Sequence, residues 1–512
     1  MLKAINRSLR PIFSFFILNF TLSLFAQETP AFVRDSLGTY VQNALTAWQI
    51  PGVAVCIVKD GKVVLMKGYG VKEMDGKDKV DEHTLFMIGS NTKAFTATAL
   101  ALLDADKKIS LDDKVQKWMP DFTMHDPWVG KEMMIRDLLC HRIGMETFQG
   151  DFMYWTSDLN RQQVMKKFEQ LTPKYGFRSR WGYTNAAFMT AGELIPKITG
   201  KTWDAFLQER IFSPLQMNET VALSAEIGKA PNKAAAHTIA NGKLVKIPYG
   251  MIDNLAPAGS ISSSANDLSH WILMQLNNGN YNGTQVVPQS AINQTRTPNS
   301  ILGNGGSLFN KAHFALYGLG WFLEEYDGRK IVSHTGGVNG FVTSVTLVPE
   351  EKLGIVVLTN TDQNNFYEAL KWEILDAYLQ LPYRNYSKVY LGFQQQGNAQ
   401  GEKWLKSMND SVAMHLKPSL PLSAYGGTYK HEVYGTLTLT PKNNGLEMSL
   451  QHHPNLIGNL QALGGDRFLC TYSDPEFGVK VLPFTVTNGK VKSMTLSVAD
   501  FVEFTTYEFV KQ

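Results

Sequence analysis

The order of apolar and polar positions divides the chain into zones. "GVAVCIVKDGKVVLMKGYG", residues 52–70, is two apolar runs joined around Asp60-Gly61, which predicts a β-hairpin with a tight turn. "FMIGSNTKAFTATALALL", 86–103, starts as a polar turn and continues apolar on every side, which predicts a buried helix beginning near Ser90. From about 105 to 290 helical patterns and turns dominate, as in "RQQVMKKFEQL" and "NAAFMTAGELIPKITG", the latter closing on Gly200. Strand patterns return in "YGLGWFLEE", "KIVSHTGG", "FVTSVTLVPE" and "LGIVVLTNT", and a last helix, "NNFYEALKWEILDAYLQL", stops before Pro382. Strands at both ends with helices between predict an α/β (α+β) domain over 27–382. Its antiparallel sheet is completed by both ends of the domain and flanked by helices, with a helical subdomain beside it.

Beyond it the pattern changes twice. Residues 383–422, with "QQQGNAQGEKW" and "KPSLPLS", read as a linker carrying one helix. Over 423–512 the alternation is that of strands. "GTLTLTPKNNGLEMSL" and "FTVTNGKVKSMTLSV" are hairpins, the second around Asn488-Gly489, and "FVEFTTYEFV" is a closing strand. A small all-β barrel or sandwich is expected there.

Composition fits this picture: 512 residues, 44% hydrophobic and 19% charged, suit two or three globular domains. The net charge of +3 is carried by Lys3, Arg7 and Arg10, which precede an apolar stretch from Pro11 to Ala26 with no acidic residue. That layout predicts a signal peptide over 1–26 and a periplasmic or secreted protein, an uncleaved anchor being the alternative. Without these three the 49 Lys and Arg fall to 46, matching the 46 Asp and Glu. A neutral chain without a basic block gives no reason to expect nucleic acid as a partner. Cys56, Cys140 and Cys470 are too scattered for a disulfide framework, and Cys56 and Cys470 read as buried thiols. His452-His453 has no partners at ligand spacing and reads as a loop or surface pair, so no metal is expected.

Candidate chemistry sits at the mouth of the helix near Ser90. A serine hydroxyl needs a base to become a nucleophile, and lysine is a base only when neutral. Lys93 stands three residues on, on the same helical face. Apolar Ala94, Phe95 and Ala97 and the positive end of a helix dipole both disfavour its ammonium. Two more stretches carry suitable groups: "RWGYTNAAF", with Tyr183 and Asn185, and "SHTGGVNGF", with His334, Thr335, Gly336 and Gly337. A second Tyr-x-Asn, Tyr383-Arg384-Asn385, reads as a chance match.

Ser90-x-x-Lys93, Tyr183-x-Asn185 and His334-Thr335-Gly336, in this order, resemble the three motifs of the penicillin-recognising serine hydrolases. The similarity is greatest to the branch of class C β-lactamases, D,D-carboxypeptidases, esterases and D-aminopeptidases. "IRDLLCHRIGM", "APAGSISSSANDLSHW" and "YGLGW" extend it over about 35–380, and the β-region resembles an appended lipocalin-like domain. The resemblance implies an acyl-enzyme on Ser90, formed with an ester, amide, peptide or lactam carbonyl and without a cofactor. Lys93 and Tyr183 would share the proton work, with either taking the serine proton, and a cation at Lys93 would lower the tyrosine's pKa. Asn185, His334, Thr335 and Gly336 would bind substrate, and the backbone N–H groups of Ser90 and Gly337 would form the oxyanion hole.

Many relatives carry lysine where His334 stands. Histidine is mostly neutral at pH 7, which argues against carboxylate-bearing substrates such as β-lactams or D-Ala-D-Ala peptides. The aromatic stretch "FQGDFMYWTSD", 148–158, is either an apolar substrate wall or packing within the helical layer. The competing functional reading is a penicillin-binding sensor that is acylated and stops. The second domain would gate substrate, bind it or make homo-oligomer contacts.

Overall fold

The computed structural model of the chain describes residues 28–306 and 308–512; the expected leader at 1–26 lies outside them. After helix α1 (Leu37–Ala47) come strands β1 (Gly52–Lys59) and β2 (Lys62–Gly70). Their hairpin turns at Asp60 and Gly61, with φ of 51° and 75°, the left-handed pair that suits the twist of the strands. Next come α2 (Thr92–Ala105), α3 (Asn185–Thr199) and α4 (Ala265–Leu276). The later strands are β3 (Ser300–Gly303), β4 (Ala315–Tyr317), β5 (Phe322–Tyr326), β6 (Arg329–Val338), β7 (Phe341–Val348) and β8 (Leu353–Thr359), followed by α5 (Phe366–Tyr378). They form one eight-stranded sheet in the order β2-β1-β8-β7-β6-β5-β4-β3, so the early hairpin pairs with the last strand. Val53 faces Thr359 and Lys59 faces Leu353 in that antiparallel join.

Every residue of β1 is buried because the sheet is covered on both faces. Ala54, Cys56 and Val58 join a core shared with α2, α3 and α4. Val53, Val55 and Ile57 join a second core closed by α1 and α5. The helix expected over 86–103 is buried on all sides, but it begins at Thr92; Ser90 sits in the single 3-10 turn Gly89–Asn91 ahead of it. Within the helical region, one hairpin was not read from sequence: Ala236–Ala240 pairs with Lys243–Ile247 around Asn241-Gly242. Its strands are only five residues long and weakly alternating.

The segment read as a linker is largely one 28-residue helix, α6 (Tyr386–Ala413), capped by the Asn385 side chain accepting from Lys388 N–H. The chance Tyr-x-Asn match is therefore a helix start. No helix among the described residues is long and apolar enough to cross a membrane. The remaining strands, β9 (Gly427–His431), β10 (Gly435–Lys442), β11 (Gly445–Leu450), β12 (His453–Ala462), β13 (Arg467–Tyr472), β14 (Val479–Thr487), β15 (Lys490–Leu496) and β16 (Tyr507–Lys511), close into an antiparallel barrel. All three cysteines are buried free thiols.

The barrel docks on the helical region through aromatic and polar contacts. His453 is buried, its ring stacked on Phe152 at 5.0 Å and its Nε2 3.1 Å from the Trp155 carbonyl oxygen. The surface reading of His453 is thereby corrected: the flat ring fills a seam between two domains. Its neighbour His452 meets Asp158 at 3.0 Å across the same seam.

Candidate active site

The turn that carries Ser90 is fixed by its backbone. Gly89 has φ +52°, and a Cβ there would lie 2.9 Å from the Gly337 nitrogen, so β6 lies directly against the turn. Asn91 Nδ2 donates to Thr343 Oγ1 at 2.9 Å, and the Thr343 hydroxyl donates to the Ile88 carbonyl at 3.0 Å, tying the turn to β7. Ser90 itself remains partly exposed.

Lys93 Nζ lies 3.0 Å from Ser90 Oγ, 2.6 Å from Asn185 Oδ1 and 2.7 Å from the Ala258 carbonyl oxygen. The last two atoms can only accept. A neutral amine has two N–H bonds, which these acceptors use, and one lone pair, which is left facing the serine hydroxyl. The amine is completely buried, and burial pushes its pKa well below that of a free lysine, against the opposing pull of Asp151. Asn185 is held in the required sense because its Nδ2 donates to Asp151 Oδ2 at 2.6 Å, so its oxygen must face the lysine. Asp151 is fully buried and its pKa is raised by that burial and by nearby Glu503.

Tyr183 is buried with its ring centroid 4.6 Å from Lys93 Nζ, and its hydroxyl hydrogen-bonds Ser90. Burial drives its pKa upward, with the serine contact pulling weakly the other way. The tyrosine is therefore a proton donor at rest, contrary to the expectation of a pKa lowered by a neighbouring cation: the amine that would have lowered it is itself desolvated.

His334 stands on β6 with Nδ1 2.7 Å from the Thr335 carbonyl oxygen and Nε2 3.1 Å from the Tyr317 hydroxyl. The carbonyl can only accept, so Nδ1 carries the hydrogen and Nε2 accepts from the tyrosine. The ring is 1% exposed, and burial pushes its pKa down to about 3. Both nitrogens are engaged by the protein, so its place is behind the site. Thr335 and Gly337 are the partly exposed members of this strand end. Gly336 is buried, and a Cβ there would fall 1.8 Å from the Ile88 carbonyl oxygen.

The other quoted stretches converge here. Ala258 of "APAGS" supplies the lysine's carbonyl acceptor, Tyr317 of "YGLGW" holds His334, and Gly320, at φ +73°, lets that loop press on the Lys93 backbone. His141 of "LLCHRIGM" lies 4.4 Å from the Tyr183 ring and accepts from Thr184 N–H. Sequence reasoning missed Asp151, because a lone carboxylate inside an aromatic stretch carries no spacing signal. It also missed Glu503 of the barrel, which accepts from Gly150 N–H at 2.8 Å and Phe152 N–H at 2.9 Å. Among the described residues, no group of three or more His, Cys, Asp or Glu could hold a metal ion.

Comparison with known proteins agrees with this layout. Residues 37–380 match the Beta-lactamase family, and residues 413–511 match a domain of unknown function, DUF3471. The chain is 28% identical over 418 residues to the unguisins hydrolase ungD' of Aspergillus campestris, covering 78% of this chain and 76% of that one. It is 28% identical over 332 residues to Protein flp of Staphylococcus aureus, covering 64% of this chain and 63% of that one. The octameric penicillin-binding protein homologue of Pyrococcus abyssi superposes with a TM-score of 0.59 at 20% identity, over 93% of this chain and 99% of that one. A D-stereospecific amidohydrolase of Streptomyces sp. superposes with a TM-score of 0.51 at 23% identity, over 63% of this chain and 94% of that one. The family match spans the sheet, the helical region and every residue placed around Ser90 except Glu503, and on that extent the chain belongs to the Beta-lactamase family.

Proposed function

We propose that the protein is a serine hydrolase that opens an ester, amide or peptide carbonyl through an acyl-enzyme on Ser90. The observation that carries the reading is the match between Lys93 and its surroundings: two acceptors for two N–H bonds and a lone pair left for the serine. In this reading Lys93 takes the Ser90 proton as Oγ bonds to the substrate carbonyl carbon. The carbonyl π electrons move to oxygen, where the N–H groups of Ser90 and Gly337 receive the charge. Tyr183, protonated at rest, gives its proton to the leaving group and is restored from Lys93. A water then attacks the acyl carbon, losing its proton to the same pair, which passes a proton to Ser90 Oγ as its bond to the acyl carbon breaks.

The hydrolase names of the Aspergillus and Streptomyces proteins support this class of reaction. With His334 neutral and turned to the protein, the strand end offers no cation for a substrate carboxylate. That favours neutral ester or amide substrates over β-lactams and D-Ala-D-Ala peptides. We further propose export through the leader at 1–26, which N-terminal sequencing of the mature chain would test. Turnover is tested with p-nitrophenyl acetate. Steady release of p-nitrophenol, abolished in Ser90→Ala, is expected. A single stoichiometric burst would replace the hydrolase by an acylated sensor, and activity surviving in Ser90→Ala would remove the assignment.

A further inference from the structure

The loop of the barrel between β15 and β16 reaches Gly337, the glycine of the proposed oxyanion hole. Phe501 on this loop lies so near Gly337 that a Cβ on the glycine would be 3.2 Å from its ring. The same ring meets Trp155 edge-on at 6.2 Å. Three residues on, Phe504 stacks on Phe148 at 5.5 Å, and Phe148 meets the Tyr183 ring edge-on at 5.6 Å. Between the two phenylalanines, Glu503 pins the loop: its buried carboxylate accepts from Gly150 and Phe152 N–H and from the Tyr434 and Tyr507 hydroxyls. Yet Phe501 and Phe504 are 42% and 51% exposed. A loop this firmly tied, with two large apolar rings left open beside the oxyanion glycine, is not explained by domain docking alone.

The aromatic stretch at 148–158 divides accordingly. Phe152, Tyr154 and Trp155 are packed away, Phe152 against the barrel and Trp155 against Phe501, while Phe148 stays partly exposed. Beyond them, where Thr156 follows Trp155 and Asn339 lies two residues past Gly337, there is a cleft of about 480 Å³ that Tyr249, Met251, Leu456 and Phe477 also line.

We propose that Phe501 and Phe504, supplied by the barrel domain and with Trp155 backing Phe501, form with Phe148 a subsite for an apolar, preferentially aromatic, group on the carbonyl that Ser90 attacks. This rests on the serine hydrolase reading above and names its substrate class. The barrel in this role sets specificity, because an aromatic face removes water from a flat substituent while the substituent's carbonyl lies under the Gly337 N–H.

The test compares kcat/KM for p-nitrophenyl phenylacetate and p-nitrophenyl acetate. The native chain should prefer the phenylacetate by tenfold or more, and Phe501→Ala/Phe504→Ala should lower that ratio about tenfold, the scale of losing an aromatic contact. Phe393→Ala, on an exposed face of α6, should leave the ratio alone. A ratio within twofold of native in the double variant overturns the subsite while leaving the hydrolase intact. Should the double variant not fold, inhibition of native acetate turnover by phenylacetamide and by acetamide decides, equal inhibition overturning the proposal. If the native chain turns over neither ester and neither acylates Ser90, the hydrolase reading falls and the subsite falls with it.

Discussion

In the proposed reading Lys93 works as a base because burial disfavours its ammonium, while two acceptors orient its N–H bonds and leave the lone pair toward Ser90. Protonation would turn the lone pair into a third N–H and aim it at Ser90 Oγ, leaving the serine no base. Because the amine's pKa is depressed, kcat/KM should be full on the alkaline side and decline as pH falls through that depressed value. His334, with its pKa at about 3, adds no step in the range from pH 5 to 9. Lys93→Arg, permanently charged, should lose on the order of 10³-fold in kcat at every pH, read from initial rates. Asp151 acts through Asn185. With its pKa raised, it is replaced well by an amide, so Asp151→Asn should keep most of the turnover. Asp151→Leu should free the Asn185 amide to flip its N–H₂ toward Lys93, lowering kcat about tenfold or more with little change in KM. Equal kcat in both variants would leave Asp151 a packing residue.

At the scale of elements, β6 is a strand whose glycines are demanded by its neighbours. Gly336 presses on the turn before Ser90, and its missing side chain is the condition for that contact. Gly336→Ala must push the Ile88 carbonyl away, with about 3 kcal/mol of destabilisation, seen as a lower midpoint in urea. The spacing of Ser90 and Lys93 was legible in the sequence, as were the hairpins at 52–70 and around Asn488-Gly489, because alternation and left-handed turn residues are local signals. The first residue of α2 was not, since the 3-10 turn at Gly89–Asn91 depends on β6 and β7 closing against it. Nor was the short hairpin at 236–247, whose five-residue strands pair only with each other.

Across the whole molecule, the barrel and the hydrolase domain share buried polar contacts at Glu503. Burial raises this carboxyl to about 7, against four hydrogen bonds that favour its charge. The folded state thus holds the proton more tightly than an unfolded glutamate, whose pKa is near 4.3. Stability from this group is complete below about pH 4.3 and declines as pH rises toward 7, since the folded chain binds more protons over that window. Glu503→Gln should flatten that slope. It should also cost about 2 kcal/mol, because its amide sets a donor against backbone N–H or tyrosine hydroxyl donors. Thermal melts of both chains from pH 4.5 to 8 read the two effects together.

Local order by itself determined the hairpins, the buried helix, the all-β character of the last 90 or so residues and the one-turn spacing of Ser90 and Lys93. Each depends on residues close in the chain, where period, turn chemistry and spacing act directly. Only the tertiary structure decided which groups surround them: that burial disfavours the Lys93 ammonium while Ala258 and Asn185 orient its N–H bonds, that His334 turns inward to Tyr317, and that a loop more than 400 residues from Ser90 in the chain lies against Gly337. Those outcomes rest on desolvation and on donor–acceptor matching, and both are properties of a closed interior that no stretch of chain possesses before it folds.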